Sequence, residues 1–211
     1  MIISLDHLNA GLKWWGKRRG KKTKFPSDIH NADYYDIYDV RAAGVTVQWW
    51  DATVNRLGQW RAYRGGKCPI TKKEIIRRGI QRLSEVAAEY AKLVTSSTTE
   101  PCITDVCWED VDSLFAIASG IRRGKAPMFA SKMCHFLFPK LFIVMDNQAT
   151  SIFDYEFYWR GMKDEWCRFK DKAEASNLLR NAIRSSKPLH PLYPLETKIM
   201  ELSHIGHKHG S

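Results

Sequence analysis

The stretch FASKMCHFLFPKLFIVMDNQAT, residues 129–150, contains one of the chain's two β-like runs, LFIVM at 141–145. Whether that run is a strand or a connecting segment decides the fold class. It follows a mostly apolar helical run, about Met128 to Phe138, and a Phe138-Pro139 break. The other β-like run, AGVTV at 43–47, is equally isolated, and two lone runs do not build a sheet. LFIVM therefore reads as a connection that ends on Asp146. Two roles fit that aspartate. It can cap a helix starting within NQATSIF, or it can be a carboxylate placed for chemistry.

Outward from this stretch, helical signals dominate. PSDIHNADYYDIYDVRAAG has Ser27 and Asp28 as start signals and Gly44 as a stop. TVQWWDATVNRLGQWRAYRGG repeats Trp50, Val54, Leu57 and Trp60 at helical spacing. TKKEIIRRGIQRLSEVAAEYAKLV reads as a single helix with the stripe Ile76, Ile80, Leu83, Ala87, Tyr90 and Val94, opened by a Thr71–Glu74 capping box. CWEDVDSLFAIASG is a further helix, followed by the basic turn GIRRGKAP. FYWRGMKDEWCRFKDKAEASNLLRNAIRSS is a long amphipathic segment with Gly161 as a candidate break. PLHPLYPLETKIMELSHIG closes the chain with a short helix, and the tail SHIGHKHGS reads as a frayed terminus. The expected fold is all-α, with two helical lobes, 1–95 and 103–211, forming one compact unit. TSSTTEPC at 95–102 is the candidate linker.

The 211 residues suffice for one sizeable core or two small lobes. An apolar fraction of 44% with 25 aromatic residues excludes a disordered chain. The 33 Lys and Arg against 23 Asp and Glu, a net charge of +10, draw the chain to polyanions. Cys68, Cys102, Cys107, Cys134 and Cys167 form no Cys-x-x-Cys pair, which excludes a zinc ribbon and points to a reducing compartment with mostly buried thiols. No apolar run approaches the length of a membrane span, and MIISLDHLNAGLKWW lacks a secretory pattern, so a cytoplasmic protein is expected.

Positive charge gathers in two places. KWWGKRRGKKTK, residues 13–24, carries seven charges in twelve positions, with Lys17, Arg18, Arg19, Lys21 and Lys22 as candidate DNA contacts. The embedded Trp14 and Trp15 suit base stacking or, more simply, the core. Arg122, Arg123, Gly124 and Lys125 lie in the turn before the Met128 helix, where backbone amides and cations make a seat for phosphate.

The order of basic turn, helix, break, apolar run and acid resembles the DNA glycosylases of the helix-hairpin-helix superfamily. SKMCHFL, 131–137, is similar to the family's post-hairpin helix, especially in the archaeal 8-oxoguanine branch. FIVMDNQAT, 142–150, is similar to its hydrophobic run into the catalytic aspartate. The resemblance covers about 30 residues. It implies a helix-hairpin-helix-like element that grips the DNA backbone and gives Asp146 the catalytic place. Asn147, Gln148, Trp14, Trp15 and His135 become candidates for the base pocket, although His135 also reads as a satisfied core histidine. The family's Gly-hydrophobic-Gly is replaced by Pro127, Met128 and Phe129, so a less regular hairpin is expected. Ser131 stands where bifunctional members carry a nucleophilic lysine. Lys132 lies one residue on, a rotation of about 100°, and is directed toward phosphate instead. A monofunctional enzyme that leaves an abasic site follows. The family's four-cysteine cluster is missing, so no metal or cofactor is expected.

The chemistry gives such an aspartate a reason. Cleaving an N-glycosidic bond develops positive charge on the sugar, which a fixed carboxylate stabilises while it orients or deprotonates water. The base must first leave the stack. The compact basic chain is also similar to small bacterial antiphage glycosylases that excise glucosylated hydroxymethylcytosine from phage DNA. A monomer acting on double-stranded DNA, including modified phage DNA, is the leading expectation. A non-catalytic nucleic-acid-binding protein is the alternative. A nuclease is disfavoured, because no clustered acidic motif is present to hold magnesium.

Overall fold

The computed structural model describes residues 2–18, 28–63, 70–95, 100–122, 126–146, 152–183, 185 and 187–210. The fold is all-α, with ten α-helices and no strand among the described residues. They are α1 (Leu5–Arg18), α2 (Asn31–Arg41), α3 (Val47–Gln59), α4 (Lys72–Gln81), α5 (Leu83–Thr95), α6 (Asp112–Ile121), α7 (Pro127–Leu137), α8 (Tyr155–Arg168), α9 (Lys172–Ala182) and α10 (Leu195–His209). Among the described residues no helix is long and apolar enough to cross a membrane.

The chain divides into two units. One is the continuous stretch Ile37–Val144, and the other joins Met1–Asp36 to Met145–Ser211. The divisions fall within α2 and at the end of the LFIVM run, not at the 95–102 segment expected to link two lobes. The physical reason lies at both ends of that expectation. Glu100 is tied back into its own unit by Arg41 at 2.8 Å and by the Tyr38 hydroxyl at 3.0 Å. The N-terminal α1 packs on the C-terminal α10.

Ile37–Val144 is built round α7, in which every residue from Phe129 to Leu137 is buried. A helix buried on all sides is the centre of its unit. α3 and α6 pack on it, α4 packs on α3, and α5 packs on α6. Thr46 of the AGVTV run caps α3 by accepting the Trp49 amide at 3.2 Å, which explains why that run is not a strand. Gly44, at φ +82°, ends the α2 region as expected.

The single helix expected over 71–94 is two, broken at Arg82, and its buried face is rotated from the expected one. Ile75, Gly79, Val86 and Leu93 are buried, whereas Ile80 and Val94 are 44% and 41% exposed. The cause is Trp50. Its indole lies where a Cβ on Gly79 would stand, 2.0 Å from the ring, and its Nε1 donates to the Ile76 carbonyl at 3.1 Å. The glycine leaves room for the indole, and the 75/79 face of α4 turns inward against it. Thr71 caps α4 through the Glu74 amide at 3.2 Å, as expected.

The other unit is built round α10, buried from Thr197 to Gly206. The expected short helix and frayed tail are thus a 15-residue helix that runs to His209. It approaches α1 at backbone contact. A Cβ on Gly206 would stand 1.7 Å from the His7 carbonyl oxygen, and one on Gly11 would stand 2.0 Å from that of Leu202. Two glycines facing each other allow this approach. The long amphipathic segment also differs from expectation: α8 runs through Gly161, and the break before α9 falls at Phe169 to Asp171.

Candidate functional site

Within Ile37–Val144, α6 and α7 are packed together and joined by residues 122–126. Arg122 ends α6 in an extended conformation, half-buried, and the Ala126 amide donates to the Ser119 hydroxyl at 3.3 Å. Pro127 opens α7, where a missing amide is harmless. Arg123, Gly124 and Lys125 lie outside the described residues.

The polar residues of α7 are satisfied internally, because a helix buried on all sides leaves them no outward face. Lys132 is 6% exposed, and its Nζ donates to the Trp60 carbonyl at 3.0 Å. The phosphate contact expected of Lys132 therefore gives way to a tie between α7 and the end of α3. Ser131 is fully buried, and its hydroxyl donates to Met128 O on its own helix at 3.1 Å. Burial also pushes the Cys134 thiol well above its ordinary range, so it stays protonated and is no nucleophile. The expectation of mostly buried thiols holds only for Cys134 among the described cysteines. Cys107 and Cys167 are exposed and Cys102 is half-buried, since they sit in loops or on an outer helix face.

His135 is fully buried, and its Nδ1 donates to the Phe142 carbonyl at 2.7 Å. The Trp60 ring packs on His135 at 5.9 Å and on Phe136 at 4.7 Å. His135 is thus the satisfied core histidine of the two readings, and it holds the backbone of the LFIVM run. The corner between α7 and that run is held by several further hydrogen bonds. Phe142 N donates to Phe138 O at 3.1 Å, Ile103 N donates to Lys140 O at 3.1 Å, and Arg41 donates to Leu137 O as well as to Glu100. Burial first and Glu100 second hold the Tyr38 hydroxyl well above its ordinary range, so it remains a donor to that carboxylate. Arg41, Glu100, Tyr38 and Trp60 escape a reading by motif. Arg41 and Glu100 are far apart in sequence, and no local pattern announces their pairing.

Leu141 to Met145 are buried and form no strand, and Asp146 follows, half-buried. The helix after it is capped by Asp154, whose carboxylate accepts the Phe157 amide at 3.1 Å. A helix start within 147–151, which Asp146 was expected to cap, lies outside the described residues. Asn147 and Gln148 lie outside the described residues.

In the unit that holds Asp146, Trp14 and Trp15 are half-buried on α1. Trp14 stacks on His209 at 4.9 Å and 10°, and Trp15 packs on His30 at 5.3 Å. Lys17 and Arg18 close α1. Their side chains, and Arg19, Lys21 and Lys22 entirely, lie outside the described residues. Of the expected residues that are described, Arg122, Lys132 and His135 belong to one unit and Asp146, Trp14 and Trp15 to the other.

The sequence reading also missed the polar stripe of α10. Lys198 and Glu201 form a buried ion pair at 2.7 Å. One turn on, His204 is 6% exposed and packs edge-on against the Tyr158 ring at 5.2 Å. Burial, His207 and Lys208 lower the His204 pKa to about 4 despite Glu165. The three-residue spacing of Lys198, Glu201 and His204 among the apolar residues of α10 was the available signal. No protein-family model, curated protein or solved structure matches this chain.

Proposed function

We propose that the chain is a monofunctional DNA glycosylase that hydrolyses the N-glycosidic bond of a modified or damaged base and leaves an abasic site. It acts in the cytoplasm as a monomer on double-stranded DNA. Asp146 stabilises the developing sugar cation and orients the attacking water. The basic clusters at 17–22 and 122–125 take the phosphates. Glucosylated hydroxymethylcytosine in phage DNA is the proposed target, on the resemblance to antiphage glycosylases.

One observation carries the reading: the corner at 137–146, where His135 and Arg41 fix the end of α7 and the backbone of a buried run that leads to a half-buried aspartate. Donors from α2, α7 and Ile103 converge on this corner, holding the carbonyls of Leu137, Lys140 and Phe142, which is more than a bare connection between two helices needs. The paired helices α6 and α7 before it supply the order that the glycosylase resemblance requires.

The test is excision. Purified protein is incubated with unmodified duplex, damaged duplex and intact glucosylated phage DNA, then heated in alkali to break any abasic sites. Breaks with the wild type and none with Asp146→Asn support the enzyme. Binding that is unchanged by Asp146→Asn, with no breaks on any substrate, leaves a non-catalytic nucleic-acid-binding protein.

A further inference from the structure

Phe153 and Phe157 hold their rings in solvent, 71% and 68% exposed, against 50% or less for every other exposed large hydrophobic side chain among the described residues. They stand four residues apart at the start of α8. Phe153 precedes the capping Asp154, and Phe157 is the third residue of the helix. A hydrophobic residue in the place of Phe153 ordinarily folds onto the fourth residue of the helix. Here that residue is Tyr158, 1% exposed, and Phe153 nevertheless keeps most of its ring in water. Neither ring has an aromatic or cationic partner among the described residues.

The charges beside the rings are already engaged. The Asp154 carboxylate accepts the Phe157 amide, and Glu156 is paired with Arg160 at 2.8 Å. One turn beyond Phe157, Gly161 has nothing within 4 Å of the place of a Cβ, so the face continues flat and open. Two neutral, outward rings on a chain of net charge +10 suit the bases of a polyanion whose phosphates are held elsewhere on the protein. The platform is too small for a second copy of the chain. Two rings bury about 300–500 Å², whereas a stable dimer needs roughly 800 Å² from each partner. Phe153 also lies seven residues beyond Asp146, a length that spans at most about 25 Å, or about seven base steps of one strand.

We infer that Phe153 and Phe157 form a stacking platform for unpaired DNA bases exposed where the duplex is opened. The choice of DNA rests on the proposed glycosylase reading, but stacking does not require catalysis. Full-length protein is titrated by fluorescence anisotropy with an intact duplex, a duplex carrying a tetrahydrofuran abasic analogue, and a single strand. 2-Aminopurine beside the gap reports stacking. The wild type prefers the gapped duplex and the single strand. Phe153→Ala/Phe157→Ala loses that preference by about 5-fold or more, the least that one stacked base contributes, and loses the change in 2-aminopurine emission. Its affinity for intact duplex stays the same, and Phe→Trp at both positions restores the preference.

An alanine variant with the wild-type preference overturns the inference, as does a wild type that binds none of the three DNAs. A wild-type dimer in sedimentation that the alanine variant dissociates also overturns it, and assigns the rings to a protein interface. Ring-dependent preference without excision on any substrate sinks the proposed function and leaves the platform standing. Excision by both proteins with no ring-dependent preference does the reverse.

Discussion

The Nδ1 of His135 lies 2.7 Å from the carbonyl oxygen of Phe142, so a ring on the last turn of α7 holds the backbone of the run that ends at Asp146. Because the acceptor is a carbonyl, the proton must be on Nδ1, and the tautomer is set by this bond. His135→Leu leaves the buried carbonyl without this donor and is expected to lower stability by about 1–3 kcal/mol. His135→Asn presents an amide at nearly the same reach and should recover part of the loss. Urea unfolding of the three proteins checks this, and equal losses in both variants would show that packing, not the donor, matters.

Three glycines make opposite predictions for the same substitution. Gly79→Ala drives a methyl into the Trp50 indole, and Gly206→Ala drives one into the His7 backbone. Both should destabilise by about 1–3 kcal/mol, with Gly206 the worse because a backbone cannot change rotamer. Gly161→Ala meets nothing, and should stabilise α8 by about 0.5–1 kcal/mol. Thermal melts order the three.

Acid should loosen the unit built round α10. The His204 pKa is lowered to about 4 when folded, by burial and by His207 and Lys208, against about 6.5 in an unfolded chain. The folded state therefore binds fewer protons, and stability rises with pH across that window. The contribution is complete above about pH 6.5 and is lost as pH falls toward 4. His204→Phe should flatten the dependence of Tm on pH between these values. A variant with the wild-type slope would assign the acid sensitivity to another group.

Arg41 and Glu100 are each 11% exposed in their side chains. Arg41→Met leaves the Glu100 carboxylate without its cation, though still with the Tyr38 hydroxyl, and takes a donor from the Leu137 carbonyl, and should cost about 3–5 kcal/mol. Glu100→Gln keeps an oxygen for the guanidinium and should cost less. Added salt should barely change either value, since a buried pair is poorly screened. Chemical denaturation in urea at low and high salt separates these outcomes.

Much of the fold is legible in the sequence where local chemistry decides it. The all-α class, the Thr71 cap, the Gly44 stop and α7 within one residue of its ends follow from patterns a few residues long. Features set by distant partners were not legible. Ile80 fits a helical stripe as well as Ile75 does, and the Trp50 indole against Gly79 is a distant contact that no local pattern announces. Lys132 reads as a phosphate contact and His204 as part of the tail, and burial of Lys198 and Glu201 runs against residue types that favour water. The structure buries them and supplies Trp60 O for Lys132 and an ion pair for Lys198 and Glu201. At the candidate site, Asp146 was found by its position after an apolar run. Of the donors that hold that corner, His135 lies in the SKMCHFL stretch and reads as a satisfied core histidine, whereas Arg41 and Ile103 are far off in sequence and no motif announces them.

The facing glycines of α1 and α10 also bear on the order in which the molecule is made. Ile37–Val144 is one continuous stretch, complete while the ribosome is still adding the last third of the chain. Its partner unit starts with α1 but lacks its central helix until α10 emerges, and Gly11 must wait for Gly206. Domains fold as units during synthesis, so the unit bearing α7 forms first and the one bearing Asp146 last. A chain stopped before α10 would carry the candidate aspartate in a unit that lacks its central helix.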